Sequence, residues 1–166
     1  MEVLDDDILL RRVKTAERVD PRHWSQGRPT AFAFGLASAR PRRRDADGLK
    51  VPGRAGKYEK GYSVNVQRLS SVAQTLGASP GDYVVIGFRV GELRAAGGYT
   101  ILPDPVTEGH PSYRGQGTEN LAHAIVIGPE GFELYELRGK ERLAQFAHAV
   151  DQETGELLSK FCDAPR

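Results

Sequence analysis

The sequence predicts an α+β fold, a single domain with a mixed or antiparallel sheet and a few short helices. Segments with strand character and segments with helical spacing follow one another without a regular βαβ repeat, which argues against a parallel α/β sheet. The length of 166 residues suits one domain, and a hydrophobic content of 39% suits a compact core with some chain outside it. We assign residues 1–150 to the domain and residues 151–166 to a C-terminal tail.

The N-terminal part of the chain predicts two strands separated by a loop. Residues 8–13 are β-prone, and side-chain alternation places Leu9 on one face of a strand and Leu10 on the other. Residues 19–30 hold two prolines and a glycine, which indicates a loop. Residues 31–34 alternate alanine and phenylalanine and predict a second, short strand.

A long basic insertion is predicted at about residues 38–60. The stretch from Arg40 to Lys60 carries eight basic and three acidic residues and almost no large apolar side chain. We expect it to be mobile, because so little apolar surface cannot offset the entropy lost on ordering. Three of its arginines form a candidate nucleic-acid contact, although a solvated loop explains them more simply. They are Arg42, Arg43 and Arg44.

The middle of the chain predicts alternating strands and helices. The predicted strands are residues 62–66, 83–88 and 99–102, and the predicted helices are residues 67–76 and 90–96. The first helix is indicated by apolar side chains at helical spacing, and each helix is followed by a glycine, Gly77 or Gly97.

The C-terminal part contains the most informative segment, an apolar run at residues 120–127 that carries His123 in its interior. In an ideal strand Leu121 and Ile125 would share a buried face with this histidine. Residues 132–135 then predict a short strand.

Apolar spacing from Leu143 to Val150 predicts a last helix. From Asp151 onward we expect a frayed tail with a weak helical turn near Leu157.

Charge and composition limit the possible functions. Lys and Arg total 23 and Asp and Glu total 22, so the net charge does not point to a polyanionic partner. Cys162 is the single cysteine, which excludes an internal disulfide and a zinc site made of cysteines. Neither a signal-peptide pattern nor an apolar run of ~20 residues is present, so we expect a cytoplasmic protein without a membrane span.

Motif searches predict neither a cofactor nor a known catalytic signature. The chain lacks a Gly-x-Ser-x-Gly elbow, a P-loop, a dinucleotide fingerprint and a His-Glu-x-x-His motif. Ser63, Asp104 and His123 occur in the chain order of an α/β-hydrolase triad, but order without the elbow is weak evidence. A metal site made of Asp104, His110 and His123 would require convergence of three residues that share no helix, so no metal site is predicted.

His123 and the arginines each have a structural and a functional interpretation. A buried imidazole needs a hydrogen-bond partner, because leaving it unpaired costs about 1–3 kcal/mol, and it can equally serve as an acid–base group. Arg11 and Arg12 alternate on the first strand, so one of them points inward or toward an edge. Either can form an ion pair with a carboxylate such as Asp104 or, like Arg94, bind a phosphate or carboxylate.

A spaced set of short motifs carries a resemblance. The motifs are Leu10-Arg11-Arg12, Ala31-Phe32, Ser63-Val64-Asn65, Arg94, Asp104-Pro105 and His123-Ala124. Spread over residues 8–128, they resemble a family of small bacterial proteins of uncharacterised function, from which the basic insertion departs. The resemblance implies a bacterial cytosolic protein and no particular activity. An arginine on the first strand is also similar to ADP-ribosyltransferase-type folds, although the downstream catalytic glutamate of that family is not evident.

Three functions therefore remain open. The leading prediction is an accessory or binding domain that acts through a protein partner. The first alternative is an enzyme on a nucleotide-like or phosphorylated substrate, ADP-ribosyltransferase-like or a hydrolase, with an arginine anion clamp and His123 as acid–base group. The second is nucleic-acid binding through the basic insertion. Clustering of the arginines with Ser63, Asp104 and His123 in one pocket would favour the enzyme.

Overall fold

A computed structural model of the chain describes residues 1–14, 24–30, 33, 62–77, 80–110, 112–134 and 136–163. The strands in this part are β1 (Ile8–Lys14), β2 (Trp24–Ser25), β3 (Arg28–Pro29), β4 (Tyr62–Val66), β5 (Tyr83–Arg89), β6 (Thr100–Pro103), β7 (His123–Ile127), β8 (His148–Val150) and β9 (Leu157–Lys160). The helices in this part are α1 (Val72–Leu76), α2 (Val90–Ala96) and α3 (Leu137–Ala144). The insertion predicted at 38–60, and all but Ala33 of the strand predicted at 31–34, lie outside the described residues.

One antiparallel sheet organises the described residues, in the strand order β6-β7-β4-β1-β5-β8-β9. The sheet and its few short helices confirm the predicted α+β class. Strands β2 and β3 form a separate hairpin inside the segment predicted as a loop. Its two turn residues, Gln26 and Gly27, have φ of 54° and 74°, the combination that tight two-residue hairpins require.

The central strand β1 is buried on both faces of the sheet. Leu9 packs in the main core with Tyr62 and Phe88, whereas Leu10 packs on the opposite face with Val72. Both leucines are fully buried, which confirms their predicted placement on opposite faces. All seven residues of β1 pair with β5, while only Leu9 and Leu10 pair with β4.

The helices are short, and α1 begins later than its sequence pattern predicts. The chain forms a single 3₁₀ turn at Gln67–Leu69 before the α-helix starts. Ser71 caps α1, because its side chain accepts a hydrogen bond from the Gln74 N–H and its own N–H donates to Gln74 Oε1. Helix α2 follows its prediction and ends before Gly97. No helix in the described residues has the length and apolar character needed to cross a membrane.

The C-terminal region corrects several predictions. Residues 132–134 form turns and irregular chain instead of a strand, and the helix ends at Ala144, so that Val150 lies in β8. The segment expected to fray contains β9, which pairs with β8. A Cβ on Gly87 would lie 2.6 Å from Leu157 Cδ1, so the missing side chain of this glycine makes room for β9 on the sheet.

Candidate functional site

A histidine and an aspartate hold each other where β6 ends and β7 begins. His123 is the first residue of β7, and Asp104 directly follows β6, the neighbouring strand. The Asp104 N–H donates to the His123 carbonyl oxygen at 3.0 Å. The His123 Nδ1 lies 2.7 Å from the Asp104 carbonyl oxygen and 3.0 Å from the carboxylate Oδ2. Because both oxygens only accept, we assign the imidazole proton to Nδ1, which leaves a lone pair on Nε2.

A second histidine binds the other carboxylate oxygen. His110 Nε2 lies 2.9 Å from Asp104 Oδ1, and its Nδ1 accepts the Ser112 N–H at 2.9 Å. This pattern assigns the proton of neutral His110 to Nε2, the reverse of His123. The loop that carries His110 returns to the sheet through a pair of backbone hydrogen bonds between Val106 and Asn120. Loop closure therefore brings His110 to a carboxylate six residues earlier.

The three side chains form a compact and largely buried cluster, which we call the His–Asp–His cluster (Asp104, His110 and His123). The Asp104 side chain is 4% exposed, and the two histidine side chains are 13% and 14% exposed. One potential ligand atom from each residue lies within 4.8 Å of the other two. No metal site was predicted from the sequence, because the spacing of these residues along the chain does not indicate that they converge.

A cleft of about 170 Å³ opens beside His123. It lies where β1 and β4 separate beyond the Leu10–Asn65 pair. Polar side chains from three strands, from α1 and from the loop before β7 line it. The lining residues are Leu10, Arg11, Arg12, Ser63, Val64, Asn65, Thr75, Asn120 and His123.

The two arginines of β1 have different surroundings at this cleft. Arg11 donates to the Ser63 carbonyl oxygen at 3.0 Å and lies 4.6 Å above the Tyr62 ring, so it bridges the separating strands. Its buried Nε has no hydrogen-bond partner among the described residues. Burial raises the pKa of Tyr62 to about 12, despite the adjacent Arg11, so the phenol stays neutral at physiological pH. Arg12 is exposed, donates to the Leu76 carbonyl oxygen and stacks on Tyr83.

The amide pair Asn65 and Asn120 belongs to the cleft, and the sequence analysis did not select it as a site. Asn120 Nδ2 donates to Asn65 Oδ1 at 2.9 Å, and Asn65 Nδ2 donates to Thr75 Oγ1 at 3.2 Å. The signal was present in the alternation of β4, where Tyr62, Val64 and Val66 are buried in the core and the intervening polar residues face the other side. Asn65 also pairs directly with His123 in the sheet register.

The remaining predicted site residues divide into two groups. Ser63 lines the cleft but pairs with Ile125, and within the described ranges no hydrogen bond joins its hydroxyl to His123. The predicted triad is thus assembled only as a His–Asp pair. Arg94 is not part of the cleft, since it forms an ion pair with Asp5 and donates to a backbone carbonyl near the N-terminus.

Two further expectations have different outcomes. Leu121 lies in a turn and is 62% exposed, so the prediction that it shares a buried face with His123 was wrong. Arg42, Arg43 and Arg44 lie outside the described residues, and their contact with nucleic acid stays a prediction.

Comparison of the chain with protein-family models, with curated proteins and with solved structures found no match.

Proposed function

We propose that this protein is an enzyme that uses His123 as a general base and general acid on a small, negatively charged substrate bound in the cleft. The observation that carries the proposal is the hydrogen bond from His123 Nδ1 to the Asp104 carbonyl oxygen, with the carboxylate Oδ2 at 3.0 Å from the same nitrogen, which directs the unprotonated Nε2 away from the carboxylate. Among the described residues no hydrogen bond occupies Nε2, and His123 lines the cleft. A basic nitrogen is therefore available beside a space for a substrate.

The chemistry follows from the tautomer. Nε2 accepts a proton from a substrate hydroxyl or from water, and the resulting imidazolium is stabilised by the Asp104 carboxylate. The same nitrogen returns the proton to a leaving group in a later step. His110 acts as a positioning residue, because its hydrogen bond to Oδ1 holds the carboxylate in the orientation that Nδ1 of His123 requires.

The lining of the cleft supports an anionic substrate group. Arg12 supplies positive charge, and the Asn65–Asn120 pair and the Thr75 hydroxyl supply hydrogen bonds. The cleft volume of 170 Å³ equals roughly five or six water molecules, which fits a phosphate or carboxylate with its attached carbon group. This is the enzyme alternative that the sequence left open. Arg12 takes the role of the anion clamp, and Arg11 holds β1 and β4 together at the cleft through its hydrogen bond to Ser63.

The other expectations from the sequence stay predictions. They are a protein partner, a bacterial and cytoplasmic protein, the resemblance to ADP-ribosyltransferase-type folds, and nucleic-acid binding by the basic insertion. The enzyme proposal does not depend on any of them.

Chemical modification tests the proposed base directly. Diethyl pyrocarbonate acylates the unprotonated nitrogen of an imidazole, and mass spectrometry of peptides identifies the modified residue. We expect His123 to react faster than His110 and His148, whose ring nitrogens both have hydrogen-bond partners. Millimolar inorganic phosphate should slow the reaction at His123, and Arg12→Met should remove that protection. Slower modification of His123 than of the other two would contradict the proposal.

A substrate screen gives the second test. Phosphorylated and carboxylated small molecules are assayed for turnover, and any activity found is compared in wild type, His123→Gln and Asp104→Asn. We expect a loss of about 100-fold or more in kcat for His123→Gln, as is usual for removal of a general acid–base group. An activity that His123→Gln leaves unchanged would not belong to this site.

A further inference from the structure

We propose that the His–Asp–His cluster also binds a divalent cation of the zinc class, and that the bound cation withdraws His123 from its role as a base. The second part depends on the proposed function, whereas cation binding itself does not. Two imidazole nitrogens and one carboxylate form a ligand set that zinc and neighbouring transition metals accept in proteins. Nothing in the spacing of these residues along the chain indicates the site, since it forms only when β6, β7 and the intervening loop are in place.

The distances in the cluster suit a cation in the place of the two ring protons that point at Asp104, each of which would move to the other nitrogen of its imidazole. His110 Nε2 and His123 Nδ1 both point at the Asp104 carboxylate, at 2.9 and 3.0 Å. In a tetrahedral site with metal–ligand bonds of about 2.1 Å, neighbouring ligand atoms lie about 3.4 Å apart. The two nitrogen–oxygen separations would therefore widen by about 0.4–0.5 Å, a shift that side-chain rotation supplies. The Asp104 carbonyl oxygen, 2.7 Å from His123 Nδ1, is available as a fourth donor.

The charge of the cluster also favours a cation. Within the part of the chain that the structure describes, the ion pairs of the Asp104 carboxylate are with the two histidines and include no lysine or arginine. With both imidazoles neutral, the cluster is a buried site with a net charge of −1. A divalent cation compensates this charge, and no proton need leave the cluster, because each neutral imidazole frees its ligand nitrogen by moving its proton to the other ring nitrogen.

Cation binding changes the tautomer of both histidines. When Nδ1 of His123 coordinates the metal, the remaining ring proton resides on Nε2, so that the nitrogen at the cleft becomes a donor and can no longer accept a proton. The proton of His110 moves to Nδ1. In the metal-free protein this nitrogen accepts a hydrogen bond from the Ser112 N–H, so two N–H groups would then face each other. The Ser112 hydrogen bond must break, which costs some affinity and gives the Ser112 amide a distinctive response to the metal.

Cobalt(II) and zinc(II) added to the full chain test the site. We expect saturable binding of one Co²⁺ with visible absorption bands of a four- or five-coordinate ion, and displacement by Zn²⁺. His110→Gln and Asp104→Asn should each weaken binding about tenfold or more. Cys162→Ser is the matched control, because it removes the exposed thiol that could bind these metals elsewhere, and it should leave the spectrum unchanged. In wild type, Zn²⁺ should shift the Ser112 amide and the imidazole resonances of His110 and His123.

Each outcome decides one claim. Absence of saturable binding at millimolar Zn²⁺, or binding that both variants retain, would overturn the metal site. If a variant fails to fold, the Zn²⁺-induced shifts of the Ser112 amide and of the His110 and His123 rings in wild type still decide whether the cluster binds the metal. Saturating Zn²⁺ should also protect His123 from diethyl pyrocarbonate, and continued modification would overturn the switch. Failure of metal binding with fast modification of His123 would leave the proposed function intact. Metal binding to a protein whose His123 is inert without metal would contradict the proposed function alone.

Discussion

Asp104 and His123 bind each other through both backbone and side chain. The Asp104 N–H donates to the His123 carbonyl oxygen at 3.0 Å, and the His123 ring donates to the Asp104 carbonyl oxygen at 2.7 Å. The pairing of β6 with β7 thus orients the imidazole as well as joining the strands. This double contact makes His123 both a structural residue and the proposed base, a combination that the sequence analysis treated as two alternatives.

His123→Ala should lower the free energy of unfolding by about 1–3 kcal/mol, because it leaves buried acceptor oxygens of Asp104 without a donor. Urea denaturation at neutral pH measures the change. Arg94→Ala is the matched control, since its ion pair with Asp5 is exposed and worth about 1 kcal/mol or less. A loss for His123→Ala no larger than that of the control would show that the contact with Asp104 contributes little to stability.

Substitution of Arg11 should mainly lower stability, whereas substitution of Arg12 should mainly weaken anion binding. Arg11→Met removes the donor to the Ser63 carbonyl oxygen and the cation above Tyr62, with an expected loss of about 1–3 kcal/mol. Arg12→Met should change stability by about 1 kcal/mol or less, because Arg12 is exposed, but should weaken phosphate binding. Denaturant melts and phosphate titrations followed by NMR give both quantities. The opposite assignment of the two effects would contradict the roles given to these residues.

Gly77 should couple the end of α1 to Arg12. Its φ is +69°, and a Cβ there would lie 3.3 Å from Arg12 Nη1. Gly77→Ala should therefore cost about 1–3 kcal/mol in backbone strain, because φ of 69° with ψ of −148° is a conformation that only glycine adopts readily, and it should also weaken phosphate binding. Gly27→Ala provides the control, because Gly27 has φ of +74° and open space around it. Equal phosphate affinity in both variants would show that the neighbourhood of Gly77 does not position Arg12.

Glu92 should contribute stability that depends on pH. Burial opposes its ionisation, but the hydrogen bonds from His148 and Lys160 outweigh burial and hold the pKa of Glu92 below its ordinary value of 4.5. A carboxyl group whose pKa falls on folding stabilises the folded state above its unfolded pKa, and this stability is lost as the pH falls through the folded pKa. The difference in unfolding free energy between wild type and Glu92→Gln should therefore be largest at neutral pH and shrink below about pH 4.5. A difference that stays constant into the acidic range would exclude this contribution.

Local patterns predicted those elements whose signals lie within a few residues. The alternation in β1 placed Leu9 and Leu10 correctly, and Gly97 marked the end of α2. Strand β9 was missed although its partner β8 lies only a few residues earlier, because the sequence pattern there predicted a helix through Val150 and because Gly87, which leaves room for Leu157, is distant in the chain. A frayed tail was the natural expectation for so polar a segment.

The candidate site was predicted as a set of residues without its geometry. His123 was selected because a buried imidazole is costly unless paired, and Asp104 because it precedes His123 in the chain order of a hydrolase triad. Their contact depends on the β6–β7 register, and the contact of His110 depends on closure of the loop by Val106 and Asn120. Both are nonlocal, so spacing along the chain could not show that the three residues converge.

The protonation pattern of the His123 ring shows whether this residue presents a base or a hydrogen-bond donor at the cleft. Long-range ¹⁵N–¹H correlation spectra of the histidine rings, recorded where the imidazole is neutral and assigned with His123→Gln, identify the nitrogen that carries the proton. We expect a proton on Nδ1 and an unprotonated Nε2 in wild type, with this preference reduced in Asp104→Asn. A proton on Nε2 of metal-free wild type would rule out the proposed general base, because the nitrogen at the cleft would then be a donor.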